Sequence, residues 1–260
     1  MGAVLAIAKA TYRESIRQRV LLVVLLLGFL LLGVAVAFSY LSTGEEFRFI
    51  VDFGLTGFIL VGLGLSVILG AYMIPNEIDR RIVMTVLSKP VSRLTYLVGK
   101  VLGAALVIAV VDALMGVAFI AAYAWKHPQH LLLPVLSLLI ATVVAVYLQT
   151  LILLGTAVLL STFSSSAFTA IATGFVFVVG SIHQYVTKLS EQGDSTWLRF
   201  IFGVLALLIP NFQNFDLRQS LMTASPVSWG HIAGSVLGYT VLYLTAVLGA
   251  AWLMFSEREF

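Results

Sequence analysis

The residue best suited to chemistry in this sequence is a carboxylic acid inside an apolar run. Asp112 is the only charged residue within 101–125, and a charged side chain inside a membrane span marks a functional site by default. Asp112 and Gln149 each lie about twelve residues from the inner end of their own apolar run. Because twelve helical residues rise about 18 Å, the two side chains are expected at about the same depth. A hydrogen bond from Asp112 to Gln149 or Thr150 can therefore join two helices. We favour that structural role, or a protonated, neutral Asp112, over a role in substrate binding or proton transfer.

The other chemically capable residues form no convergent set. Cysteine is absent, which excludes disulfides, a thiol nucleophile and a thiolate metal site. His127 and His130 are two ligands without a neighbouring carboxylate, a poor metal site, and we assign them to a loop. Lys100 follows a glycine but lacks the phosphate-binding loop of ATPases. We therefore predict no catalytic residue, no metal site and no cofactor in this chain, and a membrane-embedded enzyme is disfavoured.

Composition assigns the chain to the membrane. Of its 260 residues, 60% are hydrophobic and 10% are charged, whereas soluble domains carry about 25% charged residues. The mean hydropathy is +1.06. So few charges cannot cover a water-facing surface, and the 15 basic residues stand between apolar runs instead of clustering on one exposed domain. Soluble enzymes and nucleic-acid partners are thus excluded, and a lipid bilayer is expected around most of the chain.

Six segments are apolar enough to cross a bilayer as helices of about 20 residues. These predicted spans one to six are 20–40, 55–74, 101–125, 131–161, 167–185 and 231–255. A shorter run, 197–209, ends before Pro210 and favours a re-entrant or interfacial helix. Lys and Arg residues divide ten against five between the two sides, which predicts cytoplasmic termini. We expect one domain, 1–260, an all-α multi-pass protein of the plasma (inner) membrane.

The amino-terminal stretch is predicted to be an interfacial amphipathic helix. At about 100° per residue, its apolar and charged side chains separate onto two faces. The apolar face comprises Leu5, Ala8, Tyr12 and Ile16, and the polar face comprises Lys9, Arg13, Glu14, Arg17 and Gln18. The apolar face is expected in the acyl boundary, with the cations on anionic headgroups. The helix could equally be an anchor or a docking element.

A charged segment links spans two and three. Apolar residues recur at intervals of four over 77–87, which predicts a short cytoplasmic helix with its charges facing outwards. Pro90 ends this helix, and Ser92 can cap the next one, which runs into span three. As a bare pattern, the segment fits an ordinary connecting loop equally well.

The same segment carries a family likeness. Residues 77–100 contain Glu-x-x-x-Arg, then Leu-Ser-Lys-Pro-Val-Ser-Arg and then Gly-Lys. This pattern resembles the linker between spans two and three of type-2 ABC exporter permeases, particularly the branch that includes the nitrous-oxide-reductase maturation permease. The basic run 13–19 is similar to that family's amino-terminal helix, and 209–218 to its outer loop before span six. The likeness covers nearly the whole chain, but only 77–100 is a sharp signature, and Ile82 stands where many members have Thr.

The resemblance implies a transmembrane subunit that forms the translocation path of an exporter as a dimer with a second permease copy, identical or not. It also implies a separate cytoplasmic ABC ATPase dimer, which would hold the ATP and Mg. The helix at 77–87 would be the coupling helix, seated in a cleft of the ATPase. Its docking residues would be Glu77, Ile78, Arg80, Arg81 and Ile82.

Two sets of glycines at intervals of four predict close helix packing. Gly99 and Gly103 lie at the start of span three, and Gly230, Gly234 and Gly238 lie at the start of span six. We favour packing within the chain for both sets, with a dimer seam as the alternative.

A stand-alone secondary transporter or channel is the alternative function. That class favours internal repeats and several intramembrane ionisable groups, whereas this sequence offers Asp112 alone. An ATPase chain that copurifies in equal amounts would support the exporter, and its consistent absence would support the alternative.

Overall fold

The chain is all-α throughout the described residues, as the sequence predicts. The computed structural model describes residues 2–41, 46–79, 92–126, 133–192, 196–223 and 229–257. Its helices are α1 (Gly2–Ile16), α2 (Arg19–Leu41), α3 (Glu46–Asp79), α4 (Arg93–Lys126), α5 (Leu133–Ser161), α6 (Ser166–Ser181), α7 (His183–Gln192), α8 (Thr196–Leu208) and α9 (Arg218–Met222). A 3₁₀ turn, Phe212–Phe215, precedes α9. The last helix, α10, joins Trp229–His231, a π-helical section Ile232–Leu237 and Gly238–Glu257.

Five of these helices are long and apolar enough to cross a membrane: α2, α3, α4, α5 and α10. The pair α6 and α7 passes the same test only together, across a bend of 69°, where the sequence predicts span five. Large apolar side chains cover the outside of the bundle, with Leu22 61%, Ile171 76% and Leu242 74% exposed. Such a surface suits a lipid solvent, so the chain is membrane-embedded.

Helices α3 and α4 are longer than the spans predicted for them. Each has 34 residues, and α3 continues through Pro75 to Asp79 without the break expected there. At about 1.5 Å per residue, each helix is about 51 Å long, about 20 Å more than a hydrocarbon core of about 30 Å. Gly54, early in α3, packs against Phe119, late in α4, so the two helices run antiparallel.

The packing of α3 on α5 closes the centre of the bundle. A Cβ atom at Gly62 would collide with the side chain of Thr150, and one at Gly70 with Ala157. Both glycines therefore admit the neighbouring helix more closely than a larger residue would. Between them, the Ser66 hydroxyl lies 2.9 Å from the carbonyl oxygen of Gly62 and 3.0 Å from that of Thr150, so one donor serves both helices.

A lysine ties three helices together at the far end of α4. Lys126 Nζ lies 3.5 Å from Glu46 Oε2 at the start of α3 and 3.0 Å from the ring centroid of Tyr40 near the end of α2. Cation–π contacts of this kind contribute about 0.5–2 kcal/mol, more when desolvated. The ends of α2, α3 and α4 on this side are thus held together.

The short helix predicted at 197–209 is present as α8. It packs mainly on α7 to form a helical hairpin. Trp197, Phe200 and Leu208 on α8 are 73%, 65% and 65% exposed. An exposed apolar face on a helix too short to cross a bilayer is typical of an interfacial helix.

Candidate functional site

The first turns of α4, which we call the α4 base (Arg93 to Gly103), bring distant parts of the chain together. The Ser92 hydroxyl accepts a hydrogen bond from the Thr95 amide at 3.2 Å, which confirms the predicted cap and fixes where α4 begins. At the next residue, Arg93 Nη1 donates to the carbonyl oxygen of Phe255 at 2.9 Å. That bond satisfies a carbonyl near the end of α10, where helix carbonyls lack partners.

Aromatic packing reinforces the contact between α4 and α10. The rings of Tyr96 and Phe255 stack with centroids 6.0 Å apart and an interplanar angle of 12°, and both side chains are buried. Lys100 Nζ lies 5.9 Å from the Tyr96 ring centroid. Burial of two stacked aromatic side chains contributes to holding the two helices together, and neither residue was predicted from the sequence to have a role.

The α4 base also holds α1. A Cβ atom at Gly103 would lie 2.6 Å from the Ala8 carbonyl oxygen and 2.6 Å from Thr11 Cβ, and one at Gly99 would lie 2.9 Å from Ile7 Cβ. The prediction of close packing within the chain is therefore confirmed for Gly99 and Gly103. The contacts advance in the same direction on both helices, so α1 and α4 run side by side in one chain direction.

The face of α1 that packs shares only Ala8 with the predicted apolar face. Ala8, Thr11 and Ser15 are buried, whereas Leu5 is 67% and Ile16 43% exposed. The reason lies in α4, since a glycine ridge accepts small side chains and backbone and excludes large ones. Leu5 and Ile16 therefore remain free to contact an acyl boundary.

The second glycine set behaves differently. A Cβ atom at Gly234 or Gly238 would meet nothing within 4 Å, and Gly230 is exposed. Packing within the chain is therefore wrong for this set. A dimer seam, the alternative, stays a prediction.

The predicted coupling helix lies mostly outside the described residues. Arg80, Arg81 and Ile82 belong to the segment 80–91, which the structure does not describe. The backbone of Glu77 and Ile78 lies in the last turn of α3. The segment 80–91 therefore connects the end of α3 directly to the α4 base.

The three intramembrane polar residues are buried, at 1% exposure for Asp112, 5% for Gln149 and 2% for Thr150, but they do not meet. Thr150 Oγ1 donates to the carbonyl oxygen of Val146 at 2.8 Å. Both carboxyl oxygens of Asp112 are without a hydrogen-bond partner among the described residues. The hydrogen bond proposed from equal depth is therefore not formed, because depth fixes the level of a side chain but not the direction in which it points.

Tyr147 on α5 is hydrogen-bonded to α4 close to Asp112 in the sequence. Its hydroxyl donates a long hydrogen bond of 3.4 Å to the Ala105 carbonyl oxygen. The phenol is therefore engaged with the α4 backbone and not with the Asp112 carboxyl group, whose oxygens have no partner among the described residues.

Replacing Asp112 by leucine should stabilise the chain. A buried polar group without a partner costs about 1–3 kcal/mol, and Leu fills similar space without that cost. The thermal unfolding midpoint of Asp112→Leu in detergent should therefore rise. Asp52→Leu is the control, since Asp52 lies in an exposed i,i+4 pair with Arg48 worth a few tenths of a kcal/mol. A falling midpoint would show that Asp112 is a structural hydrogen-bonding residue after all.

A polar cavity of about 360 Å³ opens between α3, α5, α6 and the 3₁₀ turn. Its polar lining is Thr56, Gln149, Ser181, Gln213, Asp216 and Arg218, and its apolar lining is Ile59, Leu60, Phe177 and Phe212. Arg218 Nε lies 3.5 Å from Asp216 Oδ1 without hydrogen-bond geometry. Gln149 therefore faces this cavity rather than Asp112, and the cavity can bind a small polar solute.

The segment 211–218, which supplies half of the polar lining residues, packs against α10. The rings of Phe177, Phe212, Phe215, Tyr239 and Tyr243 form a ladder with successive centroids 5.9–6.5 Å apart. The Asn211 amide donates to the Tyr239 hydroxyl at 2.9 Å. From the sequence, this segment was expected to be an outer loop without a binding role. Its alternation of aromatic and polar residues is the sequence pattern that could have indicated that it lines a cavity.

Comparisons with known proteins add little to this geometry. A family model described as a short repeat of unknown function (DUF308) matches residues 150–209, which run from α5 to the end of α8. No curated protein matches the chain. Among the described residues, no group of three or more His, Cys, Asp or Glu could hold a metal ion. In its described residues the chain is thus an all-α membrane protein with five candidate spans, or six if the bent pair α6 and α7 is one span, and it has a partial likeness to a repeat without assigned function.

Proposed function

We propose that this chain is the transmembrane subunit of an ATP-driven ABC exporter. It would form the translocation path as a dimer and couple to a separate cytoplasmic ATPase that binds ATP and Mg. The observation that carries the proposal is that α3 and α4 both continue past their predicted spans on the linker side, α3 over 75–79 and α4 over 93–100. At about 1.5 Å per residue, these extra turns are about 7.5 and 12 Å long. Together with the charged linker 80–91, they make an extension that a soluble partner can contact.

Movement of this extension would be passed to other helices through the α4 base. A displacement of the linker enters α4 at Arg93, which is bonded to Phe255 at the end of α10. The same turns hold α1 through Gly99 and Gly103. At the other end of α4, the Lys126 contacts restrain α2 and α3. Motion at the base would therefore tilt α4 about a fixed far end and carry α1 and α10 with it.

The path itself would run between two copies. The polar cavity opens at the end of the bundle away from the linker, and the face of α10 around Gly234 and Gly238 is uncovered. In the apolar stretches of α2 and α10, only 22% of the residues are buried. Both helices therefore have exposed surface that a second copy could contact. Six spans with the bent pair as span five, cytoplasmic termini and residence in the plasma (inner) membrane complete the proposal.

Copurification and reconstitution test the proposal. The chain is expressed from its native genomic region together with any P-loop ATPase encoded there, purified through a tag on the chain alone, and reconstituted into liposomes. We expect the ATPase in equal amounts and ATP turnover that depends on the permease. A chain that purifies without any ATPase, or that moves a solute without nucleotide, would overturn the exporter.

One observation favours the alternative, a secondary transporter or channel. Asp112 is buried and unpaired among the described residues, a state associated with proton relays in transporters. In that case, transport would follow a proton gradient without ATP, and Asp112→Asn would abolish it at unchanged stability. In the exporter, Asp112→Asn leaves ATP-driven transport in place.

A further inference from the structure

An apolar groove runs between α1 and α4 beyond the glycine contacts of the α4 base. It has a volume of about 570 Å³, within the roughly 300–1,000 Å³ of small-molecule sites. Its walls are Leu5 and Tyr12 from α1 and Leu106, Val110 and Ala113 from α4. Leu5, Leu106 and Val110 are 67%, 52% and 40% exposed, so the rest of the chain does not cover these walls.

The α4 wall of the groove belongs to a helix that crosses the membrane. Leu106 and Val110 lie within the candidate span Arg93–Lys126, where the surroundings are acyl chains. Gly103 brings the two helices into contact just before these residues. The groove therefore begins at that contact and lies open to the bilayer along α4, as an acyl chain requires.

One side chain of the groove is charged. Lys9 lines it, and Arg13 follows four residues later on the same face of α1, with Arg17 in the turn directly after the helix. All three are exposed, and Glu14 is the only carboxylate on the helix. A ligand that suits both features has an apolar tail and an anionic head.

We propose that this groove binds one anionic phospholipid, with its phosphate at Lys9 and an acyl chain along Leu106 and Val110. A second copy of the chain fits less well, because a symmetric contact would bring two sets of the same cations together. The bound lipid would hold α1 against α4 beyond the reach of the glycine contacts. The site depends on the membrane environment alone and not on the proposed export function.

Native mass spectrometry of the purified full chain tests the site. The protein is titrated with phosphatidylglycerol and, separately, with phosphatidylcholine. We expect one retained phosphatidylglycerol per chain and clearly weaker retention of phosphatidylcholine. Lys9→Gln should weaken phosphatidylglycerol binding about fivefold, the effect of one cation at an anionic surface, and Lys188→Gln, which removes a cation from α7, should not weaken it.

A second experiment fills the groove with larger side chains. Ala113→Phe should abolish the retained lipid, whereas Ala121→Phe, an exposed position on the same helix outside the groove, should preserve it. Ala109→Leu is a smaller filling for use if Ala113→Phe does not fold. Equal retention of the two lipids, retention unchanged in both filled variants, or a chain dimer that the fillings dissociate would overturn the proposal.

Discussion

Reversing one charge of the linker, Arg81→Glu, should weaken binding of the ATPase partner by about a hundredfold or more. In the proposed exporter this cation meets the cleft of the ATPase. Like charges placed together at an interface cost several kcal/mol, and about 1.4 kcal/mol is a tenfold change in affinity. The measurement is the amount of ATPase that copurifies with the chain, together with ATP turnover after reconstitution.

Lys188→Glu is the matched control for this reversal. It makes the same change in net charge on α7, which the proposed topology places on the other side of the membrane. ATPase binding and ATP turnover should therefore remain as in the unmodified complex. If Arg81→Glu also left both quantities unchanged, the linker would not be the point at which the partner acts, and the coupling mechanism would fail.

Replacing Gly103 by leucine should detach α1 from α4. The new side chain would meet the Ala8 carbonyl oxygen and Thr11 Cβ at 2.6 Å, and backbone cannot retreat as a flexible side chain can. Overpacking of this severity costs about 3 kcal/mol, or roughly 6–12 °C in Tm for a chain of this size. Thermal unfolding in detergent measures the loss, and proteolysis within α1 should become faster.

Gly249→Leu makes the same change in the same kind of position, within a membrane helix. A Cβ atom there would meet nothing within 4 Å, so its Tm should stay the same or rise slightly because Leu favours helix over Gly. Equal losses in both variants would mean that the α1 contact is not what Gly103 supports. Gly103→Ala should lie between the unmodified chain and Gly103→Leu.

Much of the fold follows from hydropathy because the solvent is lipid. Apolar runs of about 20 residues require helices in a bilayer, so the all-α class, the burial of Asp112 and Gln149 and the helix at 197–209 can be predicted. Local rules also suffice for the cap at Ser92 and for the packing of Gly103. Each of these features depends on a single segment of the chain, or on contact with small residues of a neighbouring helix.

The remainder depends on how helices are rotated about their axes, which a bilayer does not encode. Asp112 and Gln149 reach the same depth yet face different neighbours, because most positions around a buried helix are equally apolar. Gly234 and Gly238 illustrate a second cause. A spacing of four predicts a common face on α10 but not which element covers that face, and no described residue lies within 4 Å of a Cβ atom built at either glycine.

The bend after Ser181 has a consequence for the membrane around the protein. In the proposed six-span layout, α7 departs from the direction of α6 by 69°, so the bent pair crosses the membrane mainly through the 16 residues of α6. These residues rise about 24 Å, some 6 Å short of an average hydrocarbon thickness. Hydrophobic mismatch of this size is relieved when the bilayer thins beside the helix, at a cost of fractions of a kcal/mol per ångström. Lipids with shorter acyl chains should therefore gather along this flank, and the protein should sort towards thinner membranes.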